Sequence, residues 1–363
     1  MRNLNLLKKL YGDLDIPIYI YAPAYLEASA GVRALHYLCH ALNSMGQPAW
    51  MVIHGVISKG SPLVNASLIT PLLTPDIRNQ HFACGQSPIV IYPETIPGNP
   101  LNAQFVVRWV LNYAGVLGGQ TTFPDDEYLL AYSSKISKSL SGKPPILFLP
   151  PLNILEIWRI QTDLKAEKHN GKALTYAGKY RGFVGKPVLP NWAQNFETEE
   201  IWREGPNKQS RTEVLKLIRN APVLFCFENS TIITESVLLG TPVILIRSTF
   251  FDELLAEHEL GIDGTAWHDE VNPLDKAKKS LASAEVKYLK SIEDFHKSLQ
   301  VEVVRWKKLA NGTDYLKPLL IPDHSHLISK HRINLAIQIL KNHGMITLIR
   351  ISVSFLRRRL FTK

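Results

Sequence analysis

Along the first 150 residues, apolar positions fall into short continuous runs separated by stretches where they recur every three or four residues. This is the pattern of buried strands alternating with amphipathic helices around a parallel sheet. A β-rich run at 16–21, closed by Pro23, predicts the first strand. Val32, Leu35, Leu38, Cys39, Leu42 and Met45 then recur at helical spacing, with Gly46 as the stop signal. Strands are predicted at 50–53 and 89–92, an amphipathic helix at 102–113, a strand at 127–132 and a buried strand at 146–149. Together these make one doubly wound unit.

Pro144, Pro145, Pro150 and Pro151 bracket the last strand, and the polar stretch 161–172 follows, placing a domain boundary near 152–170. Strand and helix signals then alternate again. Strands are predicted at 173–177, 223–227 and 243–246, helices at about 212–219 and 232–239, and a charged helical stretch at 275–309. No repeat of solenoid period is visible. The fold class expected is α/β with two Rossmann-like domains, 1–152 and 153–325, facing across a cleft, followed by a basic helical tail over 326–363.

Composition changes this picture little. The chain has 363 residues, 45% of them apolar and 20% charged, which suits two globular domains and excludes wholesale disorder. Three cysteines, Cys39, Cys84 and Cys226, are odd in number, far apart and set in or beside apolar stretches. They predict a reducing compartment without a disulfide framework or cysteine zinc site. The N-terminus lacks the apolar run of a secretory signal, and no stretch reaches the roughly 18 apolar residues of a membrane span, so a cytoplasmic protein is expected.

Charge is more informative by position. The net charge is +9, from 41 basic and 32 acidic residues, and eight of the basic residues follow Asp323, the last acid. The body is therefore near neutral, with 33 basic against 32 acidic residues, and no basic patch with interleaved aromatics marks nucleic acid as a partner. Residues 345–363 mix Met345, Ile349, Val353 and Phe355 with Arg350 and Arg357 to Arg359. That composition suits peripheral contact with an anionic membrane, or a terminal helix packing back on the first domain.

In open parallel sheets ligands bind where strands end, so the loops after strands carry the candidate chemistry. The segment 223–246, VLFCFENSTIITESVLLGTPVILI, gives a buried strand and a polar turn of Glu228, Asn229, Ser230 and Thr231. A helix holding Glu235 in its first turn follows, then Gly240, Thr241, Pro242 and another buried strand. Ser230 or Thr231 is a plausible cap, and the helix start offers N–H groups and a positive dipole end suited to a diphosphate. After strand 173–177 come Gly178, Lys179 and Arg181, with Lys186 further on, cations able to neutralise a leaving group. In the first domain the small-residue loop 22–31 carries Glu27 and Gly31, and Arg33 and His36 lie just beyond. It is no G-x-G-x-x-G fingerprint, which argues against NAD. Glu94 directly follows a buried strand, and Gly98, Asn99 and Pro100 form a turn ahead of Arg108.

Segment 223–246 resembles the donor-site signature of GT-B glycosyltransferases, in which an acidic residue, a small-residue turn and a helical Glu precede Gly-Thr-Pro-Val. Glu228 and Glu235 are spaced Glu-x6-Glu, one residue short of the Glu-x7-Glu of the retaining nucleotide-sugar members. Segment 89–115, with Tyr-Pro-Glu, Gly-Asn-Pro and Arg-Trp, resembles bacterial surface-polysaccharide glycosyltransferases. The resemblance implies a metal-independent transferase with a nucleotide-diphosphate sugar as donor and no resident cofactor. It implies domain closure over the substrates and a lipid-linked saccharide of an O-antigen, capsule or lipopolysaccharide as acceptor. It also implies that Glu235 binds the donor ribose, that the Ser230-Thr231 backbone lies near the donor phosphates, that Gly178, Glu228 and Asn229 belong to the donor site, and that Lys179 and Arg181 stabilise the departing diphosphate. Glu94 would act as general base in inversion or as a hydroxyl-positioning residue in retention, the favoured outcome, and Glu27, Gly31, His36 and Asn99 would bind acceptor.

Other clusters point elsewhere only weakly. Asp125, Asp126 and Glu127 precede a strand and fit a solvated turn better than a metal site, and His324, His326 and His331 lack a carboxylate or thiolate companion. The competing readings are a sugar-nucleotide epimerase of the same fold, distinguished by product formation without acceptor, and a non-catalytic lipid- or nucleic-acid-binding protein.

Overall fold

A computed structural model describes residues 15–27, 29–55, 62–163, 171–203, 205–311 and 317–322. The tail over 345–363 and the three histidines His324, His326 and His331 lie outside the described residues. The chain divides into two compact units. One comprises the residues up to Tyr132, Ile136–Leu147 and the described residues from His296 onward; the other comprises Ser133–Lys135 and Phe148–Phe295.

The first unit is built on β1 (Ile18–Pro23), α1 (Ala30–Ser44), β2 (Ala49–His54), α2 (Pro75–Ala83), β3 (Ile89–Pro93), β4 (Phe105–Val110) and β5 (Tyr128–Ala131). All strand pairs are parallel, in the order β2-β1-β3-β4-β5. Residues on both faces of these strands are buried, which is why they read as continuous apolar runs. The helix expected at 102–113 is corrected to a strand. Phe105, Val106, Val107, Trp109 and Val110 form β4, four of them fully or almost fully buried, and Arg108 lies inside the sheet. The run expected as a strand at 146–149 is reduced to a single parallel bridge between Ala131 and Ile146, with Leu147 buried behind it.

The second unit contains α4 (Ile154–Asp163), β6 (Ala173–Tyr176), α5 (Gly178–Phe183), β7 (Thr198–Glu200), α6 (Arg211–Asn220), β8 (Leu224–Cys226), α7 (Ile232–Leu238), β9 (Val243–Leu245), α8 (Glu257–Leu260), β10 (Thr265–Trp267) and α9 (Pro273–Ser280). The element between β5 and α4 is α3 (Ser134–Ser139). The sheet order is β7-β6-β8-β9-β10, again with every pair parallel. The last helix, α10 (Ala284–Ala310), is the charged helix expected from the sequence. Its buried Tyr288 donates to the Leu152 carbonyl and accepts from the Leu152 N–H, both at 2.8 Å.

Counted from its own first strand, each sheet has the order 2-1-3-4-5. The α/β class and the two Rossmann-like units are therefore as the sequence reading expected. In this topology the order in which strands are added reverses between the first and third strands, and loops leaving their carboxyl ends diverge to open a crevice. Those switch points are β1/β3 in the first unit and β6/β8 in the second.

Candidate functional site

At the second switch point the geometry starts with Gly178. The site is tight there, because a Cβ on Gly178 would lie 3.0 Å from the Tyr176 hydroxyl and 3.5 Å from a Glu228 carboxylate oxygen. Glu228 leaves the end of β8, is buried, and accepts from the Tyr180 N–H at 2.9 Å; the Lys179 N–H also donates to it. Ala177, in the cap position of α5, makes no side-chain cap bond, so Glu228 supplies that function from the neighbouring strand. Burial pushes the Glu228 carboxyl above its usual range, opposed by those N–H groups and by the Lys179 charge. The polar turn continues with Asn229, whose amide donates to the Glu253 carbonyl at 2.7 Å and accepts from Leu255 N–H at 3.2 Å, so it anchors a neighbouring loop. Ser230 hydrogen-bonds Tyr176, whose hydroxyl burial pushes up to about 12. Thr231 occupies the cap position of α7 but its side chain makes no cap bond; its hydroxyl instead accepts from Arg203 at 3.4 Å.

Glu235 is fully buried. One carboxylate oxygen pairs with Arg211 at 2.8 Å and the other with Arg203. Arg211 also reaches Glu156 at 2.9 Å. The carboxylate expected to hold a ribose is thus enclosed by two guanidinium groups. Arg203, whose side chain retains 15% exposure, lies over the Tyr176 ring with its guanidinium carbon 5.6 Å from the centroid. It therefore bridges Tyr176 of β6 to Thr231 and Glu235 at the start of α7. Arg203 and Arg211 were not singled out by sequence reasoning. Arg203 stands in an irregular segment, and only its charge beside Trp202 could have marked it.

Of the two cations expected on α5, Lys179 is exposed. Arg181 donates from Nε to Glu200 Oε1 at 2.7 Å, pairs with the second oxygen through Nη2, and lies 4.9 Å from the Trp202 ring centroid. The structure accordingly brings Gly178, Lys179, Glu228, Ser230, Thr231 and Glu235 around Tyr176 and Arg203, while Arg181 and Asn229 brace the edges.

The first switch point is organised by two buried charges. Glu94, at the end of β3, is 2% exposed and accepts from the Leu111 N–H at 2.9 Å, with the Asn112 N–H also donating. Burial raises its pKa above the usual carboxylate range, and these N–H groups oppose the shift. Gly119 fits the facing loop against this strand end. Its φ is +82°, and a Cβ there would meet Thr95 Cα at 2.7 Å and the Glu94 carbonyl more closely still, so only glycine fits. Behind Glu94, the fully buried Arg108 donates to Glu127 at 2.8 and 2.6 Å and to the carbonyls of Pro93, Ile96 and Gly98 at 3.2, 2.6 and 2.7 Å. Asn99 accepts from the Tyr92 hydroxyl and the Ala103 N–H and donates to the Ala103 carbonyl, so its amide builds the turn. Glu127 is the Arg108 partner, and among the described residues no three His, Cys, Asp or Glu side chains gather into a metal-binding group.

On the other side of β1, Ser29 caps α1 through the Val32 N–H. Gly31 faces Leu111, a Cβ there lying 3.8 Å from its Cδ1, which places the start of α1 beside the loop that holds Glu94. Glu27 accepts from Tyr25 at 2.8 Å and lies 3.7 Å from Arg33. His36, fully buried, donates from Nε2 to the Pro23 carbonyl at 3.0 Å; its Nδ1 makes no hydrogen bond and the Tyr25 ring lies edge-on at 5.2 Å. His54, at the end of β2, stacks on Tyr21 at 4.4 Å, and both extend the site beyond the residues expected from sequence.

Burial lowers the His36 pKa to about 4. The unfolded chain therefore takes up a proton near pH 6.5 that the folded state refuses until about pH 4. Stability from this residue is complete above pH 6.5 and falls by about 3 kcal/mol as pH drops through that window. Urea melts of the wild type and of His36→Gln between pH 7 and 4 should show the wild type losing more stability; parallel losses would contradict the buried neutral imidazole.

The three cysteines form no disulfide, and Cys39 and Cys226 are buried; burial pushes the Cys226 thiol up to about 12, out of the reactive range. No helix among the described residues is long and apolar enough to cross a membrane. No protein-family model matches the chain, and no curated protein matches it. Among solved structures it is similar to WaaG, a glycosyltransferase involved in lipopolysaccharide biosynthesis, at 12% identity over 82% of this chain and 100% of that one, with a TM-score of 0.39. It is also similar to T4 phage BGT in complex with UDP-glucose, at 12% identity over 83% of this chain and 100% of that one, with a TM-score of 0.38. A putative UDP-N-acetylglucosamine 2-epimerase from Listeria monocytogenes is similar at 12% identity over 85% of this chain and 100% of that one, with a TM-score of 0.39.

Proposed function

We propose that the protein is a GT-B glycosyltransferase that takes a sugar from a nucleotide-diphosphate donor. The observation that carries this reading is the convergence at the β6/β8 switch point of Lys179, Arg203, the Gly178 close-approach site and the buried Glu235. Such a site receives a polyanion at the carboxyl ends of parallel strands. In the reaction an acceptor hydroxyl oxygen bonds to the anomeric carbon, the anomeric carbon–diphosphate oxygen bond breaks, and the electron pair stays on the diphosphate. Lys179 and Arg203 neutralise that developing charge with fixed cations, which removes the need for a metal. Glu235 holds Arg203 and Arg211 in place and meets the ribose only through that charged frame.

The acceptor reading belongs to the first unit. Glu94 positions an acceptor hydroxyl, in keeping with a retaining reaction in which the proton leaves on the departing diphosphate. In inversion Glu94 would take the proton itself, a role its raised pKa favours. A lipid-linked saccharide of a bacterial surface glycan is the acceptor class, with the enzyme at the cytoplasmic membrane face.

The first test is a thermal-shift screen against UDP, GDP, dTDP, ADP, CMP and NAD. A ligand at 100 times its Kd stabilises the folded state by about 2.7 kcal/mol, which raises the melting temperature by about 5–10 °C. A shift with one nucleoside diphosphate supports the reading and names the donor class. No shift with any of them, or a shift with NAD alone, overturns it.

A further inference from the structure

We propose that the end of α5 and the turn after it, residues 181–188, form a docking surface for an anionic lipid bilayer. It rests on the proposed placement of the enzyme at a membrane face, and its test reads partition to vesicles, which is separable from nucleotide binding. The surface is apolar where solvent should favour polar groups: Phe183 is 73% exposed, Val184 47% and Val188 70%. Exposed apolar side chains are ordinary when scattered, but here they share one short segment.

The patch is firmly seated. Phe183 stacks on Phe250, with ring centroids 5.0 Å apart and an interplanar angle of 18°. Phe250 meets Tyr180 edge-on at 6.3 Å, and Tyr180 lies 5.3 Å from the buried Phe227. A row of rings thus runs from the core of the second unit to its surface. The start of α5 is fixed by the Glu228 carboxylate across the switch point. An aromatic pair held this way presents a preformed wedge and loses little rotamer freedom when it is buried.

Charge decides the occupant. From Ala173 to Phe196 the chain has no acidic residue, while Arg181 and Lys186 lie on the segment itself. Lys186 is exposed, and the one acid paired with the segment is Glu200, from outside it, on Arg181. Exposed apolar side chains beside basic ones match a bilayer interface: Phe183 and its valine neighbours enter the acyl boundary and Lys186 extends to lipid phosphates. A second copy of this chain fits worse, because a two-fold contact through this face would set its cations against their own symmetry mates.

The test uses the full-length protein in co-sedimentation with phosphatidylcholine vesicles, with and without phosphatidylglycerol. Wild type should partition to the anionic vesicles, with binding falling steeply as salt rises. Phe183→Ser with Val184→Ser should weaken partition about ten-fold, and Lys186→Glu about five-fold or more. Both substitutions are at exposed positions, so unchanged thermal melts confirm that folding is intact. An Arg357→Gln, Arg358→Gln, Arg359→Gln variant separates the C-terminal tail from the patch. Wild-type partition by both patch variants, loss confined to the tail variant, or equal binding to neutral vesicles would overturn the proposal. So would a concentration-dependent dimer in light scattering that Phe183→Ser abolishes, which would assign the patch to a second copy.

Discussion

Replacing Arg108 with alanine is expected to destabilise the protein by about 3–5 kcal/mol. Arg108 is fully buried in β4, and its guanidinium is shared between Glu127 and the carbonyls of Pro93, Ile96 and Gly98. The truncation leaves Glu127, itself nearly enclosed, without its counter-charge and strips donors from three carbonyls in the loop after β3. At about 2–4 °C per kcal/mol for a unit of this size, the melting temperature should fall on the order of 10 °C. Arg108→Met with Glu127→Leu should recover part of the loss, since it removes both charges but leaves the carbonyls unpaired. Urea melts of the three proteins decide the matter. A single alanine variant within 1 kcal/mol of wild type would mean that the pair is not a structural centre of the first unit.

The same residues show what was legible in the sequence. The string Tyr-Pro-Glu, Gly-Asn-Pro, Arg-Trp was recognisable, but its physical basis required the fold. Arg108 is the bolt for the loop that carries Glu94, and Asn99 shapes the turn. The expected helix at 102–113 was lost because a strand buried on both faces has no period-two alternation, and a buried Arg in it imitates a polar helix position. β7 is Thr-Glu-Glu and β10 Thr-Ala-Trp, so neither has the apolar run that marked the equally short β8 and β9. The helix α4 lies inside the 152–170 range expected to hold the domain boundary. Both switch points were legible as places because their loops directly follow buried strands. Their electrostatics were not, because Arg203 and Arg211 reach Glu235 from 32 and 24 residues away along the chain. Long side chains cross between elements without any periodic trace, so a first-turn Glu was visible while the charges surrounding it were hidden.

Arg203 is where this hidden part becomes testable, and Arg203→Ala is expected to reduce kcat/KM for the nucleotide-sugar donor by about 10²–10³. The guanidinium lies over Tyr176 and is held by Thr231 and Glu235, so it is oriented before any ligand arrives. A preorganised cation of this kind stabilises leaving-group charge that develops only in the transition state, so the loss should fall on kcat more than on KM. Arg203→Lys keeps the charge but not the planar fork, and should recover only part of the rate. Arg211→Gln supplies the contrast. Arg211 faces Glu156 as well as Glu235, so its replacement should lower the melting temperature and disturb turnover less than Arg203→Ala. If Arg203→Ala folds and turns over at the wild-type rate, the β6/β8 switch point is not where the diphosphate leaves. If instead activity and the nucleotide-induced thermal shift fall together while the urea midpoint holds, Arg203 is the cation that receives the diphosphate and Glu235 the carboxylate that aims it.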